Sequence, residues 1–256
     1  MSADERVESE GALGDELGHA DSDEPVSSSG SLTAIIVAGG SSQRMGFDKL
    51  LAPLNGKPVF AHSIIAFEQT ASVSDIILVA RAERIAEYER VIEFEKFAKV
   101  SAVIPGGARR QDSVRFGIER LSGPGEFIAV HDAARPLVRP ELIERALQAA
   151  RSHGAAAVAV PVVDTLKRAD GHSFVIGGVE RRNLFAMQTP QIFRRALLER
   201  AYAALLESGI EVTDEVSAVE RLGENIMIVT NDEPNFKITH PADLALAGFV
   251  LRQRYP

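Results

Sequence analysis

An α/β fold class, a Rossmann-like and mostly parallel sheet flanked by helices, is predicted by three features of the sequence. Strand-like runs at 33–37, 75–80, 99–104, 126–130 and 155–160 alternate with segments of helical pattern, and such alternation indicates a parallel sheet covered on both faces. Three loops carrying glycine or charged residues, 38–49, 105–113 and 131–136, each follow such a run, where open parallel sheets bind ligands. Finally, the alternation breaks over about 161–184, where Asp170-Gly171 is a strong turn signal. A projecting β-arm is expected there.

The elements follow in order. Residues 1–31 hold nine acidic residues and one base, Arg6, with much Ser and Gly and no apolar periodicity. They read as a disordered acidic tail, and the folded domain is placed at 32–256. The remainder has 27 acidic and 27 basic residues. Its neutrality argues against a nucleic-acid binder. The chain has no cysteine, which excludes disulfides and thiolate metal sites. No apolar run approaches the roughly 20 residues of a membrane helix, and the acidic N-terminus lacks a signal pattern. No membrane association and a cytoplasmic location are therefore expected. With 256 residues, 45% of them hydrophobic, the chain can build one sizeable core.

Gly56-Lys57-Pro58 opens the first helix, and Pro58 suits its first turn. A charged amphipathic helix is read at 84–97, another from 109 to about 121, and a third at 140–151. Within the arm, 162–168 and 174–176 are expected to pair. An isolated hairpin is marginal in water, so the arm is expected to pack on a second subunit. Residues 185–188 rejoin the sheet and 193–207 are helical. Thr213-Asp214-Glu215 has the form of an N-cap. Short strands at 225–229 and 235–239 and a helix at 241–252 close the chain.

The first loop carries the clearest chemistry. A strand opening into Ala38-Gly39-Gly40 is a common way to bring backbone N–H groups against phosphate. Arg44 and Lys49 just beyond suggest an anion of higher charge. A Walker-type loop is excluded, because Gly46 is followed by Phe47 rather than Lys-Ser/Thr. The dinucleotide fingerprint is missing too. The plainer alternative is a tight surface turn with two solvated cations. Asp132, just past a strand, is a candidate metal ligand, since Mg2+ is commonly held by one or two carboxylates with phosphate and water. The other use of such an aspartate is loop capping. His131 reads as a packing or locally bonded residue, and Arg135 as a phosphate ligand or a partner of Asp132. Lys237, between Phe236 and Ile238, would face away from both in a strand, toward solvent or toward the site.

These pieces, AGGSSQRMGFDK, PGGARRQDSV, HDAARP, VVDTLKR, TPQ, TDE and NFKIT, resemble in order and spacing the 2-C-methyl-D-erythritol 4-phosphate cytidylyltransferase family from about Thr33 to Arg252. The resemblance implies transfer of a cytidylyl group from CTP to methylerythritol phosphate, in non-mevalonate isoprenoid biosynthesis, with Mg2+ and release of pyrophosphate. It implies that Arg44 and Lys49 are catalytic and that Asp132 holds the metal. Ala38, Gly39, Gly40, Gly107, Ala108, Ser113, Asp132 and Ala133 would bind the nucleotide. Arg135, Thr165, Arg181, Thr189 and Lys237 would bind the acceptor, and the arm of a homodimer would bring Thr165 and Arg181 to the partner's site. Two departures stand out: the short Arg44–Lys49 spacing, which resembles molybdenum cofactor guanylyltransferases, and Ala108, where many members are acidic. HDAARP, TPQ and TDE favour the cytidylyltransferase. Three alternatives stay open: a cytidylyltransferase for a polyol phosphate such as ribitol phosphate, the guanylyltransferase, and a non-catalytic nucleotide sensor.

Overall fold

Along β1 (Leu32–Ala38) every residue except Val37 is buried, because helices cover both faces of the sheet it belongs to. The computed structural model describes residues 31–40, 46–123 and 125–254; the acidic tail and Arg44 lie outside them. Ala34 and Ile36 point into one apolar cluster with Phe60, Ile64 and Phe67. Ile35 points into the other with Val114, Leu198 and Val219. Each fully buried Ile, Leu, Val or Phe among them contributes roughly 1.5–3 kcal/mol of transfer free energy.

A tight hairpin follows β1: β2 (Pro53–Leu54) and β3 (Lys57–Pro58) pair across Asn55-Gly56. Pro58 is the N-cap of α1 (Val59–Gln69) rather than part of its first turn. Then come β4 (Val73–Ala80), α2 (Ile85–Glu95), β5 (Val100–Pro105), α3 (Arg110–Glu119), β6 (Phe127–Asp132), α4 (Pro140–His153) and β7 (Ala155–Pro161). The arm holds β8 (Lys167–Ala169) and β9 (Val175–Gly178), and the chain returns through β10 (Phe185–Arg194), α5 (Arg195–Ser208), α6 (Glu215–Glu220), β11 (Met227–Thr230) and α7 (Pro241–Arg254).

The seven-stranded sheet has the order β11-β7-β10-β6-β1-β4-β5. β10 runs antiparallel to β6 and β7, and the other pairs are parallel. Strand order reverses between β1 and β6, so the loops leaving these strands diverge and open the crevice in which such sheets bind ligands. α1, α2, α4 and α7 pack on one face, and α3, α5 and α6 on the other.

Two expectations are corrected. Residues 235–239 form no strand. They follow Pro234 and cross the sheet's carboxyl end, where Ile238 N–H donates to the Ala134 carbonyl at 2.8 Å. In the arm the first paired segment is shorter than expected and the second is shifted along the chain, 167–169 with 175–178. The reason is the turn, which Asp170 organises by accepting from the amides of His172 and Phe174, both at 2.9 Å.

α3 lies close against β1. A Cβ on Gly117 would come within 2.6 Å of Ile35 Cγ2. Gly117→Ala should lower the unfolding free energy by about 1 kcal/mol or more in urea melts, because overpacking of ~1–3 kcal/mol exceeds a helix-propensity gain of ~1.

Candidate active site

The loops after β1, β5 and β6 meet the 235–239 segment around a cavity of about 370 Å3, lined by Gly39, Gly40, Lys49, Gly107, Ala108, Arg110, Ser113, Asp132 and Lys237 among others. A cavity of about 410 Å3 lies elsewhere, lined by His62, Ile65, Pro136 and Leu251 among others, and contains none of the candidate catalytic or binding residues.

Local packing explains how the loops are seated. Gly107 N–H donates to Ser113 Oγ at 3.1 Å, and Ser113 Oγ donates to the Arg109 carbonyl at 3.3 Å. Asp112 reaches back to accept from the Arg109 amide at 3.1 Å. This closes the first turn of α3, where an acidic group also suits the helix dipole. A Cβ on Gly107 would sit 2.3 Å from Asp112 Cβ. The missing side chain therefore admits the helix end. On the β1 loop, Asp48 pairs with Arg81 and accepts from the Leu50 amide at 3.1 Å. Next to it, Lys49 Nζ donates to the Ile238 carbonyl at 2.6 Å. Lys49 thus lines the cavity.

Asp132 ends β6 and is 7% exposed. Arg110 Nε donates to its Oδ1 at 3.2 Å and Lys237 Nζ to its Oδ2 at 2.9 Å. Arg135 Nε stands 3.7 Å from Oδ2, an ion-pair distance too long for a hydrogen bond. Burial pushes this carboxyl up, but Arg110, Lys237 and Arg135 overcome it and hold the group well below the usual range. The backbone behind it is tied as well. Asp132 N–H donates to Thr189 Oγ1 at 3.1 Å, and that hydroxyl is 3.0 Å from His131 Nδ1. Burial lowers the His131 pKa to about 3, so the imidazole is neutral. The Thr189 hydroxyl donates to Nδ1, and Nε2–H donates to the Arg135 carbonyl at 3.2 Å. Ser63 Oγ on α1 holds the same turn, donating to the Ala133 carbonyl at 3.0 Å.

Of the other residues singled out, Ala38 and Ala133 are buried beside the cavity-lining Val37, Gly39 and Ala134 and do not line the cavity themselves. Ala133 N–H donates to the Val37 carbonyl at 3.0 Å. Thr189 is buried behind Asp132, away from the cavity lining. Arg135 donates through Nη1 to the Asn235 carbonyl at 3.0 Å. Thr165 and Arg181 are exposed on the arm, where Arg181 donates to the Val163 carbonyl. Arg44 lies outside the described residues.

Sequence reasoning missed Arg110 and Glu215 as site residues. Arg110 makes a two-pronged bond to Glu215, with Nη1 at 2.7 Å and Nη2 at 2.9 Å. Burial opposes the charge on Arg110, but Glu215 and Asp132 outweigh it and raise the guanidinium pKa. The available signal was a cation directly after a glycine loop at a strand end, the same pattern that drew attention to Lys49.

Comparison with known proteins identifies the family. A model of the family 2-C-methyl-D-erythritol 4-phosphate cytidylyltransferase matches residues 32–253. The chain belongs to this family. It is 42% identical to the 2-C-methyl-D-erythritol 4-phosphate cytidylyltransferase of Caldanaerobacter subterraneus subsp. tengcongensis over 226 residues, covering 87% of this chain and 99% of that protein. It is 39% identical to the enzyme of the same name from Desulforamulus reducens over 228 residues, 88% and 97% of the two chains. The crystal structure of 4-diphosphocytidyl-2C-methyl-D-erythritol synthase from Anaerococcus prevotii superposes with a TM-score of 0.77 at 27% identity, covering 88% of this chain and 97% of that one. Among the described residues, no helix is long and apolar enough to cross a membrane.

Gly107→Ala tests the seating of α3 in this member of the cytidylyltransferase family. The added methyl group should displace the helix start and lower kcat/KM for the nucleotide by about tenfold or more, with a stability loss of about 1–3 kcal/mol. Steady-state kinetics with urea melts would measure both.

Proposed function

We propose that this chain transfers the cytidylyl group of CTP to 2-C-methyl-D-erythritol 4-phosphate and releases pyrophosphate, with Mg2+ as the metal. Family membership carries the reaction class. The observation that supports it in this molecule is the convergence of Lys49, Arg110, Lys237 and Asp132 on one cavity beyond the carboxyl ends of β1 and β6.

The chemistry follows from charge. An oxygen of the acceptor's phosphate attacks the α-phosphorus of CTP. A new P–O bond forms while the bond from that phosphorus to the bridging oxygen breaks, and pyrophosphate leaves with its electron pair. The attacking phosphate is already an anion, so no general base is required. Negative charge grows on the equatorial oxygens and the leaving group, and cations fixed before the reaction stabilise it without solvent reorganisation. Lys49 is assigned that task, with Arg44 by resemblance to the family. Lys237 and Arg135 are assigned to the acceptor's phosphate.

Among the described residues, no three His, Cys, Asp or Glu side chains cluster as a metal cage. Asp132 suits a divalent ion that brings the rest of its shell from triphosphate oxygens and water. Such an ion, when bound, would neutralise phosphate charge beside Asp132.

The arm supports a homodimer. Val163, Phe174, Val175 and Ile176 are all more than 60% exposed on it, a concentration of apolar surface that suits a partner. Thr165 and Arg181 lie on the same element and would complete the partner's site. A cytoplasmic enzyme acting on small phosphorylated molecules fits this reading.

A panel crossing CTP and GTP with methylerythritol phosphate and ribitol phosphate, read by pyrophosphate release, tests the function. Turnover is expected with CTP and methylerythritol phosphate. Preference for ribitol phosphate or for GTP would shift the assignment to the corresponding transferase, and binding without turnover to a sensor. Lys49→Ala should lower kcat by at least about 10²-fold, and near-normal turnover would remove Lys49 from the mechanism. Mixed dimers of Lys49→Ala and Arg181→Ala should regain activity if the arm completes the partner's site; verified heterodimers without recovery would refute that sharing.

A further inference from the structure

Glu215 is fully buried, yet it reaches the cavity through another residue. It opens α6, whose start is pinned to β10: the amides of Glu215 and Val216 both donate to Gln191 Oε1 at 3.1 Å. Gln191 Nε2 in turn donates to the N-cap Asp214 at 3.0 Å. From this fixed origin the carboxylate accepts both terminal nitrogens of Arg110 and, on Oε1, the Tyr202 hydroxyl at 3.0 Å. Arg110 donates to Asp132 through Nε, at 3.2 Å, while both terminal nitrogens go to Glu215.

A guanidinium presents a fork that suits a carboxylate edge. Two carboxylates compete for this one, and the buried Glu215 holds the fork. We propose that Glu215 is a positioning residue for the transfer reaction: by occupying the terminal nitrogens of Arg110, it keeps that guanidinium from closing its fork on Asp132. The Asp132 carboxylate is then steadied by Nε and by Lys237 while still lining the cavity. Tyr202 contributes by fixing the Glu215 carboxylate. The proposal rests on the assignment of Asp132 to the transfer reaction.

The test is a double-mutant cycle on the full chain, with kcat, KM for CTP and thermal melting measured for every variant. Glu215→Gln keeps the side chain's shape but gives up its charge. It should lower kcat by about tenfold or more while KM for CTP changes less than about threefold. Adding Arg110→Gln removes the group that would collapse onto Asp132, so the double variant should be about threefold or more faster than Glu215→Gln. A purely structural role predicts the reverse, because two lesions in one buried network should leave the double variant as slow or slower. That result in folded protein, or an unchanged kcat in Glu215→Gln, overturns the proposal. If Glu215→Gln does not fold, Arg110→Lys reads the same device, since an ammonium cannot hold the Glu215 fork and also reach Asp132. Loss of about tenfold in its kcat with KM for CTP changed less than about threefold supports the proposal, whereas an unchanged kcat, or a loss carried by a raised KM for CTP as for a cation that only binds the nucleotide, refutes it. Asp132→Asn is the separate control: full activity there would remove the underlying assignment of Asp132, whatever the cycle shows.

Discussion

A carboxylate surrounded by cations at the end of β6 is the interaction on which the site depends. Asp132 is mostly withdrawn from water, and so are parts of Arg110 and Arg135. Desolvating such charges costs several kcal/mol per ion, recovered only with close geometry and satisfied hydrogen bonds. The surrounding structure supplies both. Arg110 arrives from the start of α3, Lys237 from the 235–239 segment and Arg135 from the turn after β6. If any of these elements shifted, the cluster would hold an unbalanced charge in a poorly solvated place. The cation-rich wall that a triphosphate needs is thus also a structural commitment of the fold.

The sheet makes that convergence possible. β1 and β6 are neighbours and parallel, so their carboxyl ends deliver the glycine loop and Asp132 side by side. Behind Asp132, the neutral His131 links Thr189 to the Arg135 carbonyl, and Ser63 bonds the same turn from α1. The turn is held from two sides by groups that carry no charge themselves. This explains why HDAARP behaves as one unit: its histidine and aspartate serve a single geometry.

Much of this was legible in the sequence because it depends on local pattern. Alternating strands and helices specify a parallel sheet, and a parallel sheet places every strand-following loop at one end. Grouping the three loops required no further information. The Arg110–Glu215 pair was not legible, because its members are 105 positions apart and each resembles an ordinary surface charge in its own segment. The resemblance assigns Thr189 to the acceptor, and nothing in TPQ reveals that its hydroxyl bonds to His131 and the Asp132 amide. The Phe-Lys-Ile alternation at 236–238 looked like a strand; a chain crossing the end of a sheet can show the same alternation without a neighbour to pair with. Asn55-Gly56 carries a hairpin signal of its own, set beside the helix it introduces.

The antiparallel placement of β10 has a consequence for how this molecule can change. β7 and β10 are adjacent, and their pairing begins with Pro161 opposite Phe185, next to the bond from Val162 N–H to the Leu184 carbonyl at 3.0 Å. The arm therefore grows from the closed base of a hairpin, as a branch from a zipped stem. Residues could be added to or removed from its tip without altering the register of the sheet. Over evolutionary time the arm is free to vary in length and composition while the strands that carry the chemistry keep their alignment.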